Sequence, residues 1–148
     1  MNYKYLAAVY DNASERAKRP TGERQDRNGN WREGRRQGEA TLENNTYVRP
    51  DPDGAMVVRY WSTDILRVFP DDKTEILEAH DSLTSMKRFN TYATGGWHFT
   101  PSTSARGKNR YYGAVMYKRW RFSDIGDTCC VIIPFVSGVR TGWDLDPV

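Results

Sequence analysis

The two histidines of this chain each stand two places before a hydroxyl residue, as His80-Asp81-Ser82 and His98-Phe99-Thr100. A pair of H-x-[S/T] triplets suggests phosphodiester cleavage, one imidazole serving as base and the other as acid. That chemistry needs both rings on one phosphate, delivered from neighbouring strands. Here a helical stretch and the Gly95-Gly96 break separate them, so the spacing gives no reason to expect convergence. A small phosphodiesterase or nuclease using His80 and His98 is therefore the third of three readings.

Metal chemistry has slender support. Asp64, Asp71, Asp72, Asp81 and His80 offer oxygen and nitrogen ligands, but Pro70-Asp71-Asp72-Lys73 is also what a tight turn uses. Lys73 and Glu75 only faintly match the carboxylate–lysine spacing of a magnesium-dependent nuclease. No nucleophile elbow, P-loop or G-x-G-x-x-G is present. No metal and no cofactor is expected. Thr63-Asp64 lies between two apolar strand segments and reads as a backbone-bonding pair at a bend or bulge, with a ligand-facing role as the alternative.

The segment "SLTSMKRFN" between the histidines is the richer constellation. Asp81 or Ser82 can cap a helix over residues 83–93. Leu83, Met86, Phe89 and Ala93 then form an apolar arc, while Thr84, Lys87, Arg88 and Thr91 share the other face. Hydroxyls and cations near a helix N-terminus favour an anion, and Asn90 at the border could reach a base edge or cap a loop. Further on, Trp97, Tyr111, Tyr112, Trp120 and Phe122 are interleaved with Arg106, Lys108, Arg110, Lys118, Arg119 and Arg121. Cations alternating with aromatic rings suit phosphate contact and base stacking. Strand alternation alone generates the same pattern, with core aromatics and outward arginines. The expected ligand-binding set is Thr84, Ser85, Lys87, Arg88, Asn90, Trp97, Arg106, Lys108, Arg110, Tyr111 and Arg119.

The elements that must position these residues follow from periodicity. Residues 3–19 read as a helix stopped by Pro20, with Leu6, Val9 and Tyr10 at helical spacing. Residues 20–38 hold four glycines, no aliphatic residue and a lone Trp31, which predicts a mobile basic loop. "TYVRPDPDGAMVVRYW" reads as a hairpin with Asp53-Gly54 in the turn, and Ile65–Phe69 and Glu75–Ala79 flank the Pro-Asp-Asp-Lys turn. Residues 101–110 form another mobile basic loop, and "AVMYKRWRF" and "TCCVIIPFVSG" two further strands. The expected architecture is α+β, a single domain over 1–148 with a small antiparallel meander of five or six strands. One helix packs on the sheet near 83–93 and another lies near 3–19.

Net charge is only +3, yet unevenly spread. Residues 16–36 carry eight Lys/Arg against three acids, and residues 105–122 carry six Lys/Arg and no acid. Such segregation is a footprint for an anionic partner. No apolar run is long enough for a membrane span and no signal-peptide pattern opens the chain, so a cytoplasmic protein is expected. The adjacent Cys129 and Cys130 would point to opposite faces of a strand, which makes them structural thiols rather than a disulfide.

Four short motifs, in order, resemble a family of small bacteriophage-encoded proteins known mainly as uncharacterised. They are Asn44-Asn45-Thr46-Tyr47, the run Val58-Arg59-Tyr60-Trp61-Ser62-Thr63-Asp64-Ile65 with the Pro70-Asp71 turn, Thr84-Ser85-Met86-Lys87-Arg88-Phe89-Asn90, and Pro134-Phe135-Val136-Ser137-Gly138-Val139. The resemblance covers residues 40–95 and 130–140. Trp61 departs from it, standing where the family carries a small polar residue or histidine, and residues 94–122 look like an enlarged basic insertion. The resemblance implies a phage origin, hence the host cytoplasm, and a sheet-plus-helix core, with no activity attached. The leading expectation is a non-enzymatic binding protein that holds nucleic acid or a phosphorylated nucleotide in host takeover or anti-defence. A module docking an acidic host protein is the second reading.

Overall fold

The computed structural model describes residues 2–78, 83–94, 98–100, 115–121 and 128–134. Its centre is an antiparallel meander of five strands: β3 (Ala40–Glu43), β4 (Thr46–Pro50), β5 (Met56–Tyr60), β6 (Thr63–Val68) and β7 (Thr74–Ile76), in that spatial order. Ahead of it, β1 (Glu23–Gln25) and β2 (Trp31–Glu33) make a separate two-stranded sheet. A third sheet has the order β10 (Thr128–Pro134), β9 (Val115–Arg121), β8 (His98–Thr100). The expected α+β class holds, but the strands among the described residues fall into three sheets rather than one.

The meander forms where alternation is clearest. Val48, Met56, Val58, Leu66, Val68 and Ile76 are all buried and cluster with Met86, Phe89 and Tyr92 of α2 (Leu83–Tyr92). Register puts Val48 opposite Val58 and Val58 opposite Leu66, so these side chains share one face. The expected arc of α2 is confirmed at Met86, Phe89 and Ala93, all buried. Phe89 meets Phe99 of β8 with ring centroids 5.4 Å apart.

The other face of the meander is charged. Tyr47 pairs with Arg59, Arg49 with Val57, and Arg59 with Asp64 across a register shift between Val58 and Arg59. Arg59 is fully buried, and so is Glu39 from the segment that leads into β3. In this layer ion pairs pack beside the buried Tyr47 and Val57.

Two expectations about the first forty residues are corrected. The helix predicted over 3–19 ends at Asn12: α1 spans Tyr3–Asn12, Ala13 turns extended, and the Ser14 hydroxyl accepts the Ala17 N–H to open a 3-10 turn at Arg16–Lys18. Asn and Ser offer the backbone local hydrogen bonds that compete with helix, which explains the break. The segment 20–38, expected as a loop, carries the β1–β2 hairpin. Asp26 organises its turn, Oδ1 accepting the N–H groups of Asn28 (2.8 Å) and Asn30 (2.9 Å). Gly29 takes the positive φ of +79°. Gly34 closes the base, since a Cβ there would stand 2.3 Å from the Gly22 carbonyl oxygen. The hairpin thus orders through turn chemistry without an apolar core.

Candidate functional site

Two tight turns converge on the inner side of the hairpin. The β3–β4 turn is Asn44-Asn45, with Asn45 at φ +58°, a conformation asparagine tolerates. The β5–β6 turn is Trp61-Ser62, with Trp61 at φ +52°. Hairpin turns that need a positive φ at their first position normally carry Gly, Asn or Asp. A tryptophan there is an outlier, and such strain collects at functional sites. The Trp61 N–H donates to the Asn45 carbonyl at 2.9 Å, so the two turns are joined.

Between these turns, the hairpin and the first turn of α2 lies a cleft of about 650 Å³. Arg24, Arg27, Asn44, Asn45, Tyr60, Trp61 and Thr84 are among its lining residues. Arg24 donates to Asn44 Oδ1 at 3.1 Å and to Asn45 Oδ1, which orients both amides. Asp26, the acidic lining residue, is held below the ordinary carboxylate range, chiefly by the Asn30 backbone N–H, and is engaged by its own turn and by Arg32 at 3.1 Å. Arg32 in turn lies over the Trp61 ring at 5.7 Å.

The charged face of the sheet holds this cleft in shape. Arg59 binds Glu39 through Nε–Oε1 at 2.7 Å and Nη2–Oε2 at 2.5 Å. The same guanidinium donates to the Gly34 carbonyl at 2.7 Å and to the Trp61 carbonyl, and stacks 4.5 Å from the Tyr47 ring centroid. One buried cation therefore ties the hairpin base, the sheet and the Trp61 turn together. Arg49 adds a two-pronged pair with Asp64, both contacts at 2.8 Å. Arg36 pairs with Glu33 at 2.7 Å and gives its backbone N–H to Glu39 at 2.8 Å.

Hydrogen bonds from Arg49 hold the Asp64 carboxyl below its ordinary range, against an opposing contribution from burial. With the folded value below the unfolded one, the stability this pair supplies is complete above the unfolded value. It drains away as pH falls through the folded value. Thermal melts from neutral pH down to about 2 should show a steeper acid limb for wild type than for Asp64→Asn, the two curves converging at the acid end.

The sequence-derived candidates divide sharply. Thr84 is exposed and lines the cleft, and Lys87 is exposed on α2. Arg88, expected on the solvated face, and Ser85, expected among the ligand-binding residues, are buried at 8% and 4% exposure. Arg88 donates to Thr46 Oγ1 (2.9 Å), the Thr84 carbonyl (2.9 Å) and the Asn44 carbonyl (3.1 Å), and lies 3.9 Å from the Tyr60 ring centroid. The β3–β4 turn and the start of β4 present acceptors there, so Arg88 braces the cleft. Asn90 spends both ends of its amide on the Phe99 backbone, at 2.7 and 2.8 Å, and so fastens α2 to β8 in place of reading a base. Asp64 answers Arg49 rather than a backbone group, although the expected bulge does lie beside Thr63-Asp64.

Asp71 caps the Lys73 N–H at 3.1 Å, Asp72 accepts the Tyr3 N–H at 2.8 Å and Glu75 pairs with Arg67 at 3.1 Å. Among the described residues no cluster of metal-ligating side chains forms. His98 is exposed on β8, while His80, Asp81, Trp97, Arg106, Lys108, Arg110, Tyr111 and the 101–110 loop lie outside the described residues. Arg119 sits in β9 opposite Cys130. Among the described residues no helix is long and apolar enough to cross a membrane.

Sequence reasoning missed Arg24, Arg27, Asn45, Tyr60 and Trp61 as one site. Two signals could have found them: the Asp26…Asn28-Gly29 turn that makes a hairpin, and a tryptophan inside a two-residue turn. Set against known proteins, the chain matches no family model, no curated protein and no solved structure.

Proposed function

We propose that this is a non-enzymatic binding protein of bacteriophage origin, acting in the host cytoplasm in host takeover or in neutralising a defence. Its cleft would take an anionic partner, either nucleic acid or a phosphorylated nucleotide. The observation that carries this reading is the lining itself: Arg24, Arg27, Tyr60, Trp61 and the Asn44 and Asn45 amides share one cleft. Arginines answer phosphate, aromatic rings answer a base face and amides answer base edges. The cleft replaces the face of α2 as the seat of binding.

One observation favours the second reading. Trp31, paired with Gln25 across the hairpin, is 65% exposed beside arginines, as an anchor for an acidic host protein would be.

Fluorescence anisotropy with a labelled oligothymidylate and thermal shift with nucleoside phosphates, both at low salt, separate the two. Binding should weaken as salt rises, and Arg24→Ala/Arg27→Ala should make the log–log salt slope shallower by roughly 1.4, at about 0.7 for each single-strand phosphate that an arginine neutralises. Should neither ligand bind wild type nor raise its melting temperature at low salt, the nucleotide reading is lost.

A further inference from the structure

Trp61 lines two hollows. One is the main cleft with Arg24 and Arg27; the other is a smaller hollow of about 190 Å³ lined by Arg32, Ser62, Thr63 and Ser85. Tyr60 and Trp61 line both. Each hollow therefore has its own cation and shares one indole. The second also brings hydroxyls, from Ser62 and Thr63, of the kind that contact sugar and phosphate oxygens. A mononucleotide has one base and one site of charge and would fill a single hollow. A chain with a ring and a phosphate at every repeat matches both.

We infer that the site takes a single strand of nucleic acid, with successive nucleotides on either side of Trp61. This rests on the cleft reading above and narrows its ligand from nucleotide to polynucleotide. The strand must be unpaired, because a base can lie against an aromatic side chain only once it leaves a duplex stack. Arg32 belongs to the second station: it is exposed, and its bond to Asp26 keeps it over the indole.

The test compares thymidine 5′-monophosphate, the dinucleotide, the tetranucleotide and a duplex by anisotropy competition at one low salt concentration. Affinity should rise by about tenfold or more from mono- to tetranucleotide, within the range that one further stacked base supplies. The duplex should compete no better than the mononucleotide. Arg32→Ala should bring the ratio of tetranucleotide to mononucleotide affinity down towards one. Ser62→Glu, an exposed turn substitution that sets a negative charge in the second hollow, should do the same and covers the case in which Arg32→Ala disturbs the hairpin. Equal affinity for mono- and tetranucleotide, or equal affinity for duplex and single strand, overturns the strand while leaving a cleft that binds nucleotides. Binding of no species overturns the strand and the cleft together.

Discussion

Replacing Arg59 by methionine should destabilise the protein by about 3–5 kcal/mol, the cost of stranding one partner of a buried ion pair. In a chain of this length that is a fall on the order of ten degrees in melting temperature. Arg59 and Glu39 are 0% and 1% exposed, so neither charge has water to fall back on. Methionine fills much of the same volume but removes every donor of Arg59, leaving the Gly34 and Trp61 carbonyls without it and the Glu39 carboxylate with only the Arg36 N–H and Arg49 at 3.9 Å. Glu39→Leu should be comparably damaging, because it strands Arg59 and the Arg36 backbone N–H. The double variant is the diagnostic measurement. With both charges gone its loss should fall short of the sum of the single losses by roughly 2 kcal/mol, in the range found for residues sharing one network. Strict additivity would mean that the two side chains act separately. Because Arg59 also holds the Trp61 carbonyl, the single variant should weaken ligand binding even at temperatures where it remains folded.

The elements visible in the sequence are those with a period. β4 to β7 and α2 alternate or repeat strongly enough to be read as strands and a helix, and the helical period puts Met86 and Phe89 in the core without a structure. The β1–β2 hairpin is hidden because its order comes from Asp26 and two glycine positions rather than from burial, and a count of apolar residues is blind to both. Arg88 misleads for a different reason. Helical spacing places it on the polar side, but whether that side meets water depends on what the fold brings opposite. Here it brings the Asn44 carbonyl, the Thr46 hydroxyl and the Tyr60 ring, from positions 28 to 44 residues away. The buried Glu39–Arg59 pair spans twenty residues and leaves no periodic trace. Composition shows that positive charge gathers in 16–36. Only the hairpin's geometry turns part of it, Arg24 and Arg27, towards aromatic rings.

Trp61→Gly should separate binding from stability, and the reason lies in the backbone. At φ +52° a residue with a Cβ is strained, whereas glycine reaches that region freely. Two substitutions remove the indole, but only one relieves the strain. Trp61→Ala keeps the strained turn and should melt lower than Trp61→Gly, the two differing by about 1 kcal/mol in stability. Relative to wild type, Trp61→Gly loses the packing of a half-buried ring against Tyr60, with centroids 6.1 Å apart, and the cation–ring interaction with Arg32. It regains the strain energy, so its stability should lie within about 1 kcal/mol of wild type. Binding carries no such compensation. Loss of a stacking ring should weaken oligonucleotide affinity by roughly 10- to 100-fold, the effect of about 1–3 kcal/mol per stacked base. Both variants should lose affinity to a similar degree, since both lose the ring, and Trp61→Phe should restore most of it. If Trp61→Gly melted far below wild type and still bound oligonucleotide normally, the indole would be a packing element. If Trp61→Gly instead keeps its stability and loses affinity, a tryptophan that strains its own turn and lines two hollows is held there for what its ring contacts.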